Sequence, residues 1–232
     1  MALGGGINFY GFSAFFVPLS EEFGWSRSVL SGVFALSRLE GGLLGPLEGW
    51  LIDRFGPRKL MLIGIPLMGI GFILLSQVNS LFTLYMVYIL AITFGGGLGT
   101  FAPAGAAVAN WFVKKRGRAL GVIMSGVAVG GGLLLPLIGW WITRFGWRHA
   151  AVAAGIFILI LGIPIASIMR HRPEQYGLLP DGEQPSNELD NSINQEELSA
   201  ADSNPIAPLE FTARDAIKTS AFWFLGASLS VR

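Results

Sequence analysis

The chain contains no cysteine and only two histidines, and charged residues make up just 13% of its 232 positions. The first absence excludes disulfides, a thiolate nucleophile and any cysteine-ligated metal. The two histidines, His149 and His171, lie far apart with no ligand spacing around them, so no metal or other cofactor is expected. Glycines cluster at Gly95, Gly96, Gly97 and Gly99, but the Lys-Ser/Thr of a phosphate loop does not follow them, and no ATP motif is found elsewhere. No nucleophile stands beside a base, so the chain does not read as an enzyme. A net charge of +1 without a basic, aromatic patch gives no reason to expect nucleic acid.

What the chain has is apolar surface. Hydrophobic residues make up 52% and mean hydropathy is +0.58, whereas about a quarter of a soluble domain is charged. A bilayer core of about 30 Å needs roughly 20 helical residues. Six apolar runs approach or exceed that length, at 4–20, 29–52, 60–77, 81–110, 119–143 and 149–168, and a seventh begins near 219. The expected fold is all-α and membrane-embedded. A six-helix domain at 1–170 is followed by a polar, acidic linker at 171–218 and the start of a seventh span at 219–232. The first run lacks a basic flank, so it is not a signal peptide. Its abrupt start and the short seventh run suggest a chain that continues beyond both ends.

Lys and Arg set the orientation. Arg54, Arg58 and Lys59 follow the second run, Lys114, Lys115, Arg116 and Arg118 the fourth, and Arg170 and Arg172 the sixth. The opposite loops hold only Arg27, Arg144 and Arg148. The N-terminus and the linker are therefore expected in the cytoplasm. All seven tryptophans fall at span ends, where an amphipathic ring favours the interface.

Two segments ninety residues apart repeat each other: GGLLGPLEGWLIDRFGPR at 41–58 and GGLLLPLIGWWITRFGWR at 131–148. Most positions are identical, including Pro46/Pro136, Trp50/Trp140, Arg54/Arg144 and Arg58/Arg148. The second span runs inward and the fifth outward, so the duplication is inverted in the membrane. Three-plus-three inverted repeats are a mark of secondary transporters. The copies differ in charge: Arg38, Glu40, Glu48 and Asp53 align with Ala128, Gly130, Ile138 and Thr143.

Arg38 and Glu40 lie near the middle of the second span, where a charge costs at least about 2.5 kcal/mol and marks a site or relay. At 100° per residue they point roughly 160° apart, so they do not pair within their own helix. Arg38 shares a face with Gly41, Gly45 and Gly49, a stripe that lets another helix approach. Arginine's fixed fork suits a carboxylate, and Glu40 would answer that charge across a cavity or carry a proton. Glu48, within two turns of the helix end, is expected at a gate contact or a snorkelling position. Asn8, Ser13, Ser37, Thr93, Thr100 and Ser125 are polar enough to line a cavity, though such residues more commonly bond between helices.

Gly49, Asp53, Arg54, Gly56, Arg58 and Lys59 form the pattern G-x-x-x-D-R-x-G-x-R-K, which resembles the loop signature of the major facilitator superfamily. The stretch NWFVKKRGRALG at 110–121, Ser125-Gly126, FGWSRS at 23–28 and RPEQYGLLPDG at 172–182 are similar to the monocarboxylate-porter branch and its bacterial oxalate/formate-type carriers. No arginine occurs in the fourth run, where many facilitators carry one. The resemblance implies the N-terminal half of a twelve-span fold in a bacterial or archaeal plasma membrane. It also implies a cytoplasmic gate at the signature and alternating access against a C-terminal six-helix half. The expected cargo is a small organic anion, moved by proton symport or by exchange. Another substrate class, antiport, and a membrane binding or sensor protein that moves no solute remain open.

Overall fold

A computed structural model describes residues 4, 6, 7 and 11–169. Every regular element among them is helical. A 3-10 turn at Gly11–Phe15 leads into α1 (Phe16–Phe23), followed by α2 (Arg27–Phe55), α3 (Pro57–Leu75), α4 (Leu81–Trp111), α5 (Arg116–Phe145) and α6 (Trp147–Ile168). The expected linker at 171–218, the seventh run and Asn8 lie outside the described residues. Helices α3 to α6 are each long and apolar enough to cross a membrane. Helix α2 is as long, at 29 residues, but Arg38 and Glu40 interrupt its apolar window.

Most helices begin a few residues before the apolar runs, and caps and glycine turns set several of their ends. The Ser26 hydroxyl accepts from the Val29 amide at 3.4 Å and starts α2. Ser80 and Thr83 bond reciprocally and start α4. Gly24, at φ 68°, closes α1 in the left-handed conformation that glycine adopts without strain. The duplication reappears in the backbone. Gly56 sits at φ 82°, ψ 153° and Gly146 at φ 83°, ψ 159°. Their amides bond to Ile52 and Ile142 carbonyls at 2.8 and 2.9 Å. Only glycine takes such angles cheaply, so one duplicated residue makes both sharp junctions, α2 to α3 and α5 to α6.

Helix α3 is the central post. Gly64 lies against Gly95 and Gly99 of α4, and Gly69 lies against Gly155 and Leu159 of α6. These pairings of small residues bring backbones together where no Cβ would fit. Phe12, Phe15, Met68, Phe72, Leu84 and Ile158 fill the space between, all fully buried. Half of α3's apolar window is buried inside the unit, but only 22% of α5's. Much of α5 therefore presents Val122, Val129, Leu133 and Trp140 outward, to lipid or to further protein.

Candidate functional site

A cavity of about 280 Å³ lies between α2 and α4. From α2 it takes Phe34, Ser37, Arg38, Glu40, Gly41 and Glu48. On the helical wheel Phe34, Ser37, Gly41 and Glu48 cluster at its centre, with Arg38 and Glu40 at opposite edges. The divergence of Arg38 and Glu40 thus does not separate them; a wide face spans both.

From α4 come Tyr88, Thr93, Gly97 and Phe101. All four belong to two π-helical segments, Val87–Thr93 and Gly97–Phe101, which flank a single α turn at Phe94–Gly96. Such widened turns recur at functional sites because they re-aim side chains and loosen the ladder. Nothing in the apolar pattern of the fourth run announced them; the cluster of four glycines was the available signal.

Arg38 is exposed and Glu40 is half-buried. Among the described residues, both Glu40 carboxylate oxygens and the Thr93 hydroxyl are buried without a hydrogen-bond partner. Glu48 is buried, 8% exposed, with its carboxylate against Gly97. It does not snorkel. Ser37 and Thr93 line this cavity, and Ser13 lines a separate one. The Thr100 and Ser125 hydroxyls are spent on the Gly96 and Gly121 carbonyls of their own helices.

The signature residues gather at the α2–α3 junction. Asp53, Arg54, Arg58 and Lys59 are exposed, and Gly56 is the buried hinge between the helices. The Arg54 guanidinium lies over the Trp50 ring, 5.2 Å from its centre.

The opposite end holds a cluster that sequence reasoning missed. Arg148 donates to Glu22 at 2.8 Å, to the Ser76 carbonyl at 2.6 Å and to Asn79 at 3.2 Å. Its guanidinium lies 4.6 Å from the centre of the Trp147 ring. It thereby ties the α1–α2, α3–α4 and α5–α6 junctions together. Trp147 donates its indole N–H to Glu22 and is 6% exposed. This tryptophan is a buried bonding partner rather than an interfacial anchor. Hydrogen bonds from Arg148, and then from Trp147, hold the Glu22 carboxyl below the ordinary carboxylate range. The alignment of Arg148 with Arg58 was the signal that could have marked it.

Comparison with known proteins gives this geometry a context. Residues 1–231 match the family model described as Major Facilitator Superfamily. The chain is 30% identical over 167 residues to the oxalate:formate antiporter of Oxalobacter formigenes, covering 72% of this chain and 39% of that protein. It is 28% identical over 165 residues to monocarboxylate transporter 14 of Mus musculus, covering 71% and 32%. It is 33% identical over 135 residues to the fujikurins efflux protein of Gibberella fujikuroi, covering 57% and 28%. The matched stretch thus spans well under half the length of these curated relatives.

Proposed function

The chain belongs to the major facilitator superfamily, and from that premise we propose that it is the first six-helix half of a secondary transporter for a small mono- or dicarboxylate. The observation that carries this reading is Arg38. It is a permanent cation in a membrane-embedded helix at the edge of a cavity. Such a charge is costly in hydrocarbon unless it serves a ligand or partner, and its planar fork matches a carboxylate. Relatives named for oxalate, formate and monocarboxylates support the same cargo class. Glu40 answers Arg38 across the cavity or carries the coupling proton.

The open glycine stripe of α2, where a Cβ at Gly41, Gly45 or Gly49 would meet nothing within 4 Å among the described residues, and the exposed face of α5 are the surfaces on which a second half would rock. The α2–α3 signature then closes the cytoplasmic side. The N-terminus faces the cytoplasm, following the basic loops. The membrane is the plasma membrane of a bacterium or archaeon, as the resemblance to oxalate/formate-type carriers implies. Exchange is the second reading, favoured by the relative named as an antiporter.

The test is uptake of labelled oxalate, formate and lactate by the full-length protein in liposomes. Arg38→Ala is expected to weaken apparent carboxylate affinity by about tenfold or more, the scale of a lost charged hydrogen bond. Unchanged affinity in that variant refutes the assignment.

A further inference from the structure

Two acids line the α2–α4 cavity, and the other titratable groups facing them there are Arg38 and Tyr88. Glu48 lies ten residues beyond Arg38 on the same helix, about 15 Å along its axis, which is out of the guanidinium's reach. Among the described residues Glu48 makes no hydrogen bond or ion pair, though it is only 8% exposed.

The repeat supplies an internal control for that seat. The duplicate of Glu48 is Ile138, which is also 8% exposed. A Cβ on Gly11 would lie 3.3 Å from Ile138 Cδ1, as one on Gly97 would crowd the Glu48 carboxylate. The fold therefore accepts an aliphatic side chain in this seat, opposite a glycine. An unpaired acid is the worse occupant on packing and solvation grounds alone, so its presence points to chemistry.

The two helices run parallel. Tyr85 of α4 donates to the Val29 carbonyl at 2.7 Å, and further along both helices Gly97 meets Glu48. Thr93 lies four residues before Gly97, and Glu40 lies eight before Glu48, roughly 6 Å and 12 Å back along the helices. By that register Thr93, whose hydroxyl has no partner among the described residues, falls between the levels of the two acids. A cavity of about 280 Å³ has room for several waters at about 30 Å³ each. A metal ion fits poorly, because a hard cation takes about six oxygen ligands and the Thr100 hydroxyl is already committed to Gly96.

We propose that Glu40, the Thr93 hydroxyl and Glu48 form a proton path along the α2–α4 cavity, with Glu48 as its terminal acceptor and Arg38 left to the anion. The inference rests on the transport reading above. A proton leaves the Glu40 carboxyl for Thr93 Oγ1 through water in the cavity. Thr93 releases its own hydroxyl proton onward, and the Glu48 carboxylate takes it up. No other bond changes, and no redox partner is required.

The experiment uses the full-length protein in liposomes with labelled oxalate and formate. Uptake driven by a pH gradient is divided by counterflow, which needs no net proton movement. The ratio is expected to fall about tenfold or more in Glu48→Gln, Glu48→Ile and Thr93→Val, as for loss of a positioned proton-transfer group. Thr93→Ser, which keeps the hydroxyl, restores it, and Glu48→Ile melts no lower than the wild type. Should Glu48→Gln give neither flux, Thr93→Val against Thr93→Ser decides by the same ratio. An unchanged ratio overturns the path and leaves transport standing, as does uptake driven by a Na⁺ gradient instead of pH. Absence of counterflow in the wild type overturns the transport reading, and the path falls with it.

Discussion

Replacing Arg148 by methionine removes the guanidinium but keeps an apolar stem over Trp147. Its ion pair with Glu22 is more than a third exposed on both sides, at 36% and 41%, so solvent screening limits it to about 1 kcal/mol or less. The bond to the Ser76 carbonyl is short and partly buried; a bond to a charged group in such a place contributes about 1.5–3 kcal/mol. These partners share one guanidinium, so they do not add fully, and the total loss is about 2–3 kcal/mol. At roughly 2–4 °C per kcal/mol for a domain of this size, thermal unfolding in detergent micelles should begin about 4–12 °C lower. Arg58 is the control. It occupies the duplicate position, yet makes no hydrogen bond or ion pair among the described residues. Arg58→Met should therefore stay within about 0.5 kcal/mol of the wild type. Equal shifts for the two arginines would refute the reasoning, as would a Glu22→Gln loss as large as that of Arg148→Met.

Because the Glu22 carboxyl is held below its ordinary range, its contribution is present above that range and disappears as pH falls through the lowered value. The melting difference between wild type and Glu22→Gln should thus hold from neutral pH down to about pH 5 and close only below the usual carboxylate value near 4; closure nearer neutrality would contradict it. Gly64→Ala would put a Cβ 2.7 Å from the Gly95 carbonyl oxygen, a backbone atom that cannot rotate away. It should cost about 3 kcal/mol or more, while Gly105→Ala, which meets open space, should gain up to about 1 kcal/mol of helix propensity; both are read by thermal unfolding. Gly97→Ala would place its Cβ 2.9 Å from Glu48 Cδ, the far end of a flexible side chain. Its melting should shift by less than about 1 kcal/mol while pH-driven uptake drops, and a drop in stability without a drop in uptake would argue against the seat assigned to Glu48.

Helix positions were legible from the length of the apolar runs, whereas the residues that set their ends, Gly56 and Gly146 at the junctions and Ser26 and Ser80 at the caps, went unread. The apolar runs between them are too long to be anything but spans. The inner face of α2 was harder to read. Periodicity shows that Arg38 and Glu40 diverge, but not that a cavity is wide enough to meet both. Glu48 looked close enough to the helix end to reach water, and only the approach of Gly97 buries it. The π segments of α4 leave no trace in an apolar pattern, since a run of Val, Ile, Leu and Gly reads the same whichever carbonyl each amide chooses. Trp147 has the sequence context of an interfacial ring, but it packs into the core against Phe23, and Glu22, 125 positions away, accepts its N–H.

The duplicated segment therefore carries two kinds of information. Where the copies agree, at Gly56 and Gly146, they agree in structure to within a few degrees, and the shared residues are scaffold. Where they share a residue but not its contacts, as at Arg58 and Arg148, the surroundings have diverged. One arginine binds three junctions together, and its twin stays exposed within the loop signature. Where the residues themselves differ at equal burial, as at Glu48 and Ile138, packing cannot explain the difference, because the same seat holds both. At that one seat the second copy holds an aliphatic side chain at the same exposure as the acid of the first. Arg38, Glu40 and Glu48 stand against Ala128, Gly130 and Ile138, and all three charges line one cavity.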